Sequence, residues 1–259
     1  MASPFSHLPG TIHLGGDAPT LLDDLSAAIE AEAIHAVNER GVCHLALSGG
    51  SVEKLCMNLV ADPRYRGFPW EDTHVWQVDE RREGDDDDRR NWKMLTELLL
   101  AHVVIPEDHL HPMPVLEDDP AGAYERDLAE AFGVPPGGPP LPDARLDYVV
   151  LGMGGDWHTA SLFPHSTALD VTDRWVAVND GPQVTPPDRV TLTYPLLNAA
   201  RRVGVLLLGD GKAEPLRKLD AAIADGSASV ETMPITGIQP AGDDARLTWF
   251  IDPAAARGD

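Results

Sequence analysis

Apolar residues recur along this chain with two different periods, and their alternation lays out a fold before any chemistry is considered. Over residues 17–40 the positions Leu21, Leu25, Ile29 and Val37 return at helical intervals, with Asp17 or Thr20 placed to cap the start and Gly41 to end it. Residues 42–47 follow as a segment of strand length, and Ser48-Gly49-Gly50-Ser51 turns the chain into a second helix over 52–60. Residues 73–78 predict the next strand, Asn91 begins a further helix, and residues 120–132 predict another. Glycine and proline crowd residues 133–140, which predicts a surface loop too short to separate domains. Strands are then expected at 146–151, 175–178, 202–208 and 247–251. Residues 189–193 lead into a short helix through Ala200, and Gly209 to Lys212 opens a helix reaching about Ala224. Strand and helix alternating in this way imply an α/β fold, a mostly parallel twisted sheet flanked by helices on both faces in three layers. No repeat at solenoid spacing interrupts the pattern.

Length and composition narrow this picture. A chain of 259 residues, 43% hydrophobic, buries a sizeable core as one α/β domain over 1–259. No apolar run reaches the roughly 20 residues needed to cross a bilayer. The start, MASPFSHLPG, lacks a basic segment followed by a long apolar one, so no secretory signal is expected and the protein is read as cytoplasmic. Cys43 and Cys56 fall in a strand and the helix after it without metal-ligand spacing, and both are read as packing residues. A formal charge of -22 argues against nucleic acid, whose affinity comes from Lys and Arg neutralising phosphates. The same field repels small anions at long range, so an anionic ligand would need a local cluster of cations and backbone N–H groups. Four acids, Asp85 to Asp88, lack the spacing of a calcium loop and read as a solvated loop, with no metal expected.

Three strand-to-helix turns can supply such a cluster. In a parallel sheet the turns at 48–51, 152–158 and 209–212 all lie on one edge. The first offers free N–H groups at a helix N-terminus, to which the Ser48 and Ser51 hydroxyls can add. The second, Gly152-Met153-Gly154-Gly155-Asp156-Trp157-His158, delivers an acid and a histidine to the end of a strand, where α/β proteins receive ligands. Arg81, Arg189 and Lys212 follow or flank strand ends and can provide positive charge. Each also has an ordinary structural use: Arg81 can pair with Glu80 or Asp79, Arg189 can lie on the surface, and Lys212 can cap a loop. No G-x-x-x-x-G-K-[ST] is present and no G-x-G-x-x-G follows the first strand, so nucleotide binding is not expected.

The motifs LALSGGS at 45–51, VDER at 78–81 with Asn91 after it, GMGGDWHTASLFP at 152–164, RVTLT at 189–193 and GKAEPLRK at 211–218 stand in one order through most of the chain. On them the sequence resembles the 6-phosphogluconolactonases, within a wider group of sugar-phosphate isomerases and deaminases of common α/β fold; HTASLFP is the most specific part. The resemblance implies hydrolysis of 6-phospho-D-glucono-1,5-lactone to 6-phosphogluconate in the oxidative pentose phosphate pathway. It implies a small sugar phosphate as ligand, no metal or organic cofactor, and a monomer or weak homodimer. His158 matches the family's general base, with Asp156 orienting it or stabilising its charge and Arg81 assisting catalysis. Ser48, Gly49, Gly50, Ser51, Asp79, Asn91, Gly154, Arg189 and Lys212 would hold phosphate and sugar hydroxyls or stabilise an oxyanion.

Departures from the family pattern carry expectations of their own. Trp157 replaces the usual glycine, which predicts strain if that position needs a positive φ and a narrower pocket if the ring turns inward. Val52-Glu53 replaces Thr-Pro and sets a negative charge near the anion seat. Arg89-Arg90 and the acid run replace the usual residues before Asn91, and residues 234–240 read unlike the family's ending. Isomerisation or deamination of another sugar phosphate, and non-catalytic sugar-phosphate binding, are the alternative readings.

Overall fold

In the computed structural model, which describes residues 5–50, 52–138 and 144–257, the two hydrophobic periods become alternating strands and helices. In chain order these are β1 (Thr11–Leu14), α1 (Ala18–Arg40), β2 (Cys43–Leu47), α2 (Val52–Ala61), β3 (Thr73–Gln77), β4 (Asp79–Arg81), α3 (Asn91–Leu98) and β5 (Leu110–His111). There follow α4 (Pro120–Phe132), β6 (Tyr148–Leu151), β7 (Val176–Asp180), β8 (Asp188–Leu192), α5 (Tyr194–Ala199), β9 (Arg202–Leu207), α6 (Ala213–Asp225) and β10 (Arg246–Ile251). The Asp17 carboxylate accepts a hydrogen bond from the Thr20 N–H at 2.8 Å to start α1, and Gly41, at φ 80°, ends it.

Seven strands form a parallel sheet in the order β1-β10-β9-β6-β2-β3-β5. Alternate side chains of each strand face opposite layers. Leu45, Leu47, Val75 and Val150 pack with Leu25 and Ile29 of α1, Leu55 of α2 and Leu95 of α3. On the other face Ala46, Trp76, Val149 and Leu151 pack with Tyr124 and Leu128 of α4, Leu197 of α5 and Leu216 of α6. From β2 the chain steps outward to β3 and β5, returns at β6 on the far side of β2, and steps away again through β9 and β10. The reversal leaves a crevice beyond the carboxyl ends of β2 and β6, the place where open α/β sheets receive ligands.

One expectation needs correction. The segments at 175–178 and 189–193 do not extend the parallel sheet; as β7 and β8 they join β4 in a separate antiparallel sheet of order β4-β8-β7. No helix lies between β7 and β8, so no crossover exists to make them parallel. Val78 links the two sheets: its N–H donates to the Leu47 carbonyl at 3.0 Å, and its own carbonyl accepts from the Leu192 N–H at 2.8 Å. β1 and β5, four and two residues long, are too short to register as periodic runs. The expected loop at 133–140 lies partly outside the described residues. Cys43 and Cys56 are buried and free, as packing residues would be. The acid run is more engaged than expected: Asp85 pairs with Arg90, Asp87 with Arg89 and Asp88 with Lys93. Among the described residues, no helix is long and apolar enough to cross a membrane.

Candidate active site

Three loops at the carboxyl edge of the large sheet and two strands of the small one enclose a cavity of about 360 Å³. The loop after β2 brings Ser48, Gly49 and Gly50; the loop after β6 brings Gly152, Gly154 and His158; the turn before α6 brings Lys212. Arg81 and Asp79 enter from β4, Arg189 from β8, and Asn91 from the start of α3.

His158 is the titratable group with the most defined geometry. Its Nδ1–H donates to Asp156 Oδ1 at 2.5 Å, which leaves Nε2 of the neutral ring as the nitrogen with a free lone pair. Burial pulls the Asp156 carboxyl up, but the hydrogen bond from His158 holds it below its ordinary value, so the acid is ionised at neutral pH. The Gly154 N–H donates to the His158 carbonyl at 2.8 Å and closes the turn. A Cβ on Gly154 would lie 2.2 Å from the imidazole, so only glycine lets the backbone pass under the ring. In the first loop a Cβ on Gly49 would lie 2.2 Å from Asn91 Oδ1.

Positive charge gathers in the same cavity. Arg81 and Arg189 are directly opposed partners in the β4–β8 ladder, an arrangement that repels unless something negative lies between them. Burial draws the Arg189 guanidinium below its ordinary value, with Asp79 pulling the other way and Arg81 adding to the depression. Arg189 Nε donates to the Pro186 carbonyl at 2.9 Å, and its guanidinium lies over the Phe163 ring at 5.9 Å. Lys212 donates to the Met153 carbonyl at 2.6 Å; burial lowers its ammonium below the usual value while Asp156 opposes that shift.

Asp79 does not pair with Arg81; its Oδ2 accepts from the Ser161 hydroxyl at 2.6 Å, and its carbonyl accepts from Asn91 Nδ2 at 2.9 Å. Fully buried Glu80 organises the same corner. Its oxygens accept from the backbone N–H groups of Arg81, Asn91 and Trp92, at 2.7, 2.8 and 2.8 Å, and from Gln77 Nε2 at 2.8 Å. An acid thus receives the first N–H groups of α3 and fixes Asn91 against the cavity.

Of the residues expected from sequence, Ser48, Gly49, Gly50, Asp79, Arg81, Asn91, Gly154, His158, Arg189 and Lys212 line this one cavity, and Asp156 stands behind His158. Ser51 lies outside the described residues. Glu53 is exposed on the first turn of α2 and is not part of the lining. Trp157 does have a positive φ, 64°, but its ring turns away from the cavity: Nε1 donates to the Pro215 carbonyl at 2.9 Å. Its carbonyl accepts from the Ile235 N–H at 3.0 Å, so the unusual 234–240 segment and the unusual tryptophan pack together. Sequence reasoning missed Ser161 and Phe163, both inside the HTASLFP motif, and Val184 and Thr185, in a proline-rich loop that carries no chemical signal.

Fold and cavity together define an α/β protein with a histidine–aspartate pair and a cationic pocket at the carboxyl edge of a parallel sheet. The family model described as glucosamine-6-phosphate isomerases/6-phosphogluconolactonase matches residues 16–249, and the chain belongs to that family. It is 39% identical over 225 residues to a 6-phosphogluconolactonase of Nostoc sp., covering 85% of this chain and 86% of that one. It is also 36% identical over 247 residues to the GDH/6PGL endoplasmic bifunctional protein of Oryctolagus cuniculus; the match takes in 92% of this chain and spans only 29% of that protein's length. Among solved structures, 6-phosphogluconolactonase from Thermotoga maritima superposes with a TM-score of 0.75 at 25% identity, covering 93% of this chain and 99% of that one.

Proposed function

We propose that this chain hydrolyses 6-phospho-D-glucono-1,5-lactone to 6-phosphogluconate, with His158 as general base. The observation that carries the reading is that the His158–Asp156 pair and the opposed Arg81–Arg189 pair open into the same 360 Å³ cavity, within the size range of small-ligand pockets. A phosphate or a developing oxyanion relieves the repulsion between the two guanidiniums, and the buried position strengthens that attraction. His158 Nε2 takes a proton from water as the water oxygen attacks the lactone carbonyl. Collapse of the tetrahedral intermediate breaks the bond to the ring oxygen, to which the imidazolium returns the proton; the acid formed then ionises. Asp156 keeps the ring in the tautomer this sequence requires. Asp79, Ser161 and Asn91 offer hydrogen bonds to sugar hydroxyls.

The test is acid release from freshly made lactone, followed at constant pH. Acceleration over spontaneous hydrolysis is expected, with His158→Ala losing most of it while remaining folded; no acceleration counts against the proposal. A panel of aldose, ketose and amino-sugar phosphates separates it from isomerisation and deamination, and binding of 6-phosphogluconate without turnover marks a non-catalytic role. We further propose a cytoplasmic monomer or weak homodimer that needs no metal or organic cofactor, which size-exclusion chromatography and assays after chelation test.

A further inference from the structure

Helix α3 begins on a residue that cannot cap it. Arg90 stands where a short acceptor side chain usually receives the first N–H groups, and a guanidinium only donates. The acceptor comes from β4 instead: Glu80 takes the N–H groups of Asn91 and Trp92. A carboxylate with no exposed surface needs a counter-charge. Arg90 supplies it, with Nε 3.1 Å from Glu80 Oε2, and is itself only 4% exposed.

Charge balance does not account for the rest of the arginine. Its Nη1 donates to the Glu83 carbonyl at 2.8 Å and to Asp85 Oδ1 at 3.0 Å, and its backbone N–H donates to the Asp87 carbonyl at 3.0 Å. One residue thus folds the segment 83–90 back onto the end of β4. Within that loop the Arg89 side chain donates to the Asp87 carboxylate at 2.8 and 2.6 Å. The Arg89 carbonyl in turn accepts from Arg81 Nη1. Arg81 lines the cavity and Arg90 does not, so this bond carries the fixed loop to the guanidinium whose ladder partner is Arg189.

We propose that Arg90 is a positioning residue for the cavity: by clamping residues 83–90 it sets the Arg89 carbonyl, and through it the Arg81 guanidinium, where Arg81 and Arg189 share one anionic group of the ligand. The inference rests on the sugar-phosphate reading of the cavity. Like charges opposed in a ladder repel, so an Arg81 released from the loop swings away from Arg189, and the anion loses a charge-assisted donor. Lysine at position 90 keeps the charge beside Glu80 but has no planar fork to hold the Glu83 carbonyl and Asp85 at the same time.

Arg90→Lys therefore separates positioning from charge balance. Calorimetric titration with 6-phosphogluconate and, separately, with inorganic phosphate reads anion binding without turnover. The variant is expected to melt within a few degrees of the parent and to bind both anions about tenfold more weakly, as the loss of one charge-assisted hydrogen bond implies. With the lactone, KM should rise by a similar factor while kcat stays within about threefold of the parent. In an Arg81→Gln background the same substitution should add nothing. Parental affinity in Arg90→Lys, a fall in kcat with KM unchanged, or a loss that adds to that of Arg81→Gln overturns the proposal. A parent that binds phosphate but neither binds 6-phosphogluconate nor hydrolyses the lactone sinks the lactonase reading alone, and the phosphate titrations still decide the role of Arg90; a parent that binds neither anion overturns both. Should Arg90→Lys fail to fold, crystals of the parent protein grown with phosphate decide. One anion touching both Arg81 and Arg189, with Arg81 still on the Arg89 carbonyl, is expected, and an anion that Arg81 does not touch overturns the proposal.

Discussion

Substituting Gly154 by alanine tests whether the backbone beneath His158 is part of the site. The new Cβ would stand 2.2 Å from both Cε1 and Nδ1 of the imidazole and 2.6 Å from Asp156 Oδ1. Ordinary contact needs about 3.5 Å, so the ring must retreat by about 1 Å or more. It cannot do so and keep the 2.5 Å bond to Asp156. A displacement of about 1 Å costs about 100-fold in rate where geometry is catalytic, so kcat should fall by about that factor. Gly154 does not have a positive φ and lies outside the sheet, so the loss of fold stability should stay within about 1–2 kcal/mol. Gly155→Ala is the internal control: nothing lies within 4 Å of a Cβ there, and its activity should be unchanged. The assay is acid release from the lactone, read as kcat and KM separately, beside a thermal melt. A folded Gly154→Ala protein with kcat within threefold of the parent would refute the reasoning, as would equal losses in the two variants.

Asp156→Asn should lower kcat by about 10²- to 10⁴-fold with little change in KM, because an amide no longer fixes the tautomer or stabilises the imidazolium; unchanged kcat would leave Asp156 a loop-fixing residue. Trp157→Gly trades about 1 kcal/mol of left-handed strain for a lost indole contact and hydrogen bond worth more, so the fold should weaken by about 1–2 kcal/mol while activity holds. A tenfold gain in kcat/KM would instead mean that the ring obstructs the pocket. His44, through burial first and neighbouring His74 next, is lowered to about 3 from 6.5, so the unfolded chain takes up its proton first and stability falls as pH drops below about 6.5. At pH 5 this single site costs about 2 kcal/mol, and denaturant melts of His44→Gln should show a pH 7-to-5 loss smaller by that amount.

The large sheet was legible because its strands are buried on both faces and bounded by helices of clear period. The segments that form β2, β6 and β9 were therefore readable as strands. The small sheet was not legible, since β4 has three residues and its partner β8 lies distant in sequence, and nothing local says which edge either will find. His158, Asp156 and the glycines could be read from their turn because their chemistry is local. Glu80 shows the limit. Its role is to accept four hydrogen bonds in a buried corner, and its neighbour Arg81 offered a more obvious partner. Ser161 was hidden in the same way, inside a recognised motif but paired with Asp79 on another strand.

Val78, held by one sheet through its N–H and by the other through its carbonyl, has a consequence for how the site comes into being. Asp79 and Arg81 leave that junction toward β8, while Ser48, His158 and Lys212 wait on the far side of the crevice. No contiguous stretch of chain contains the pocket. The pairings that build it join residues far apart in sequence, the slowest kind to form. The site must therefore be among the last features assembled during folding, and a ligand held there should protect the amides of both sheets against hydrogen exchange together, as one cooperative unit.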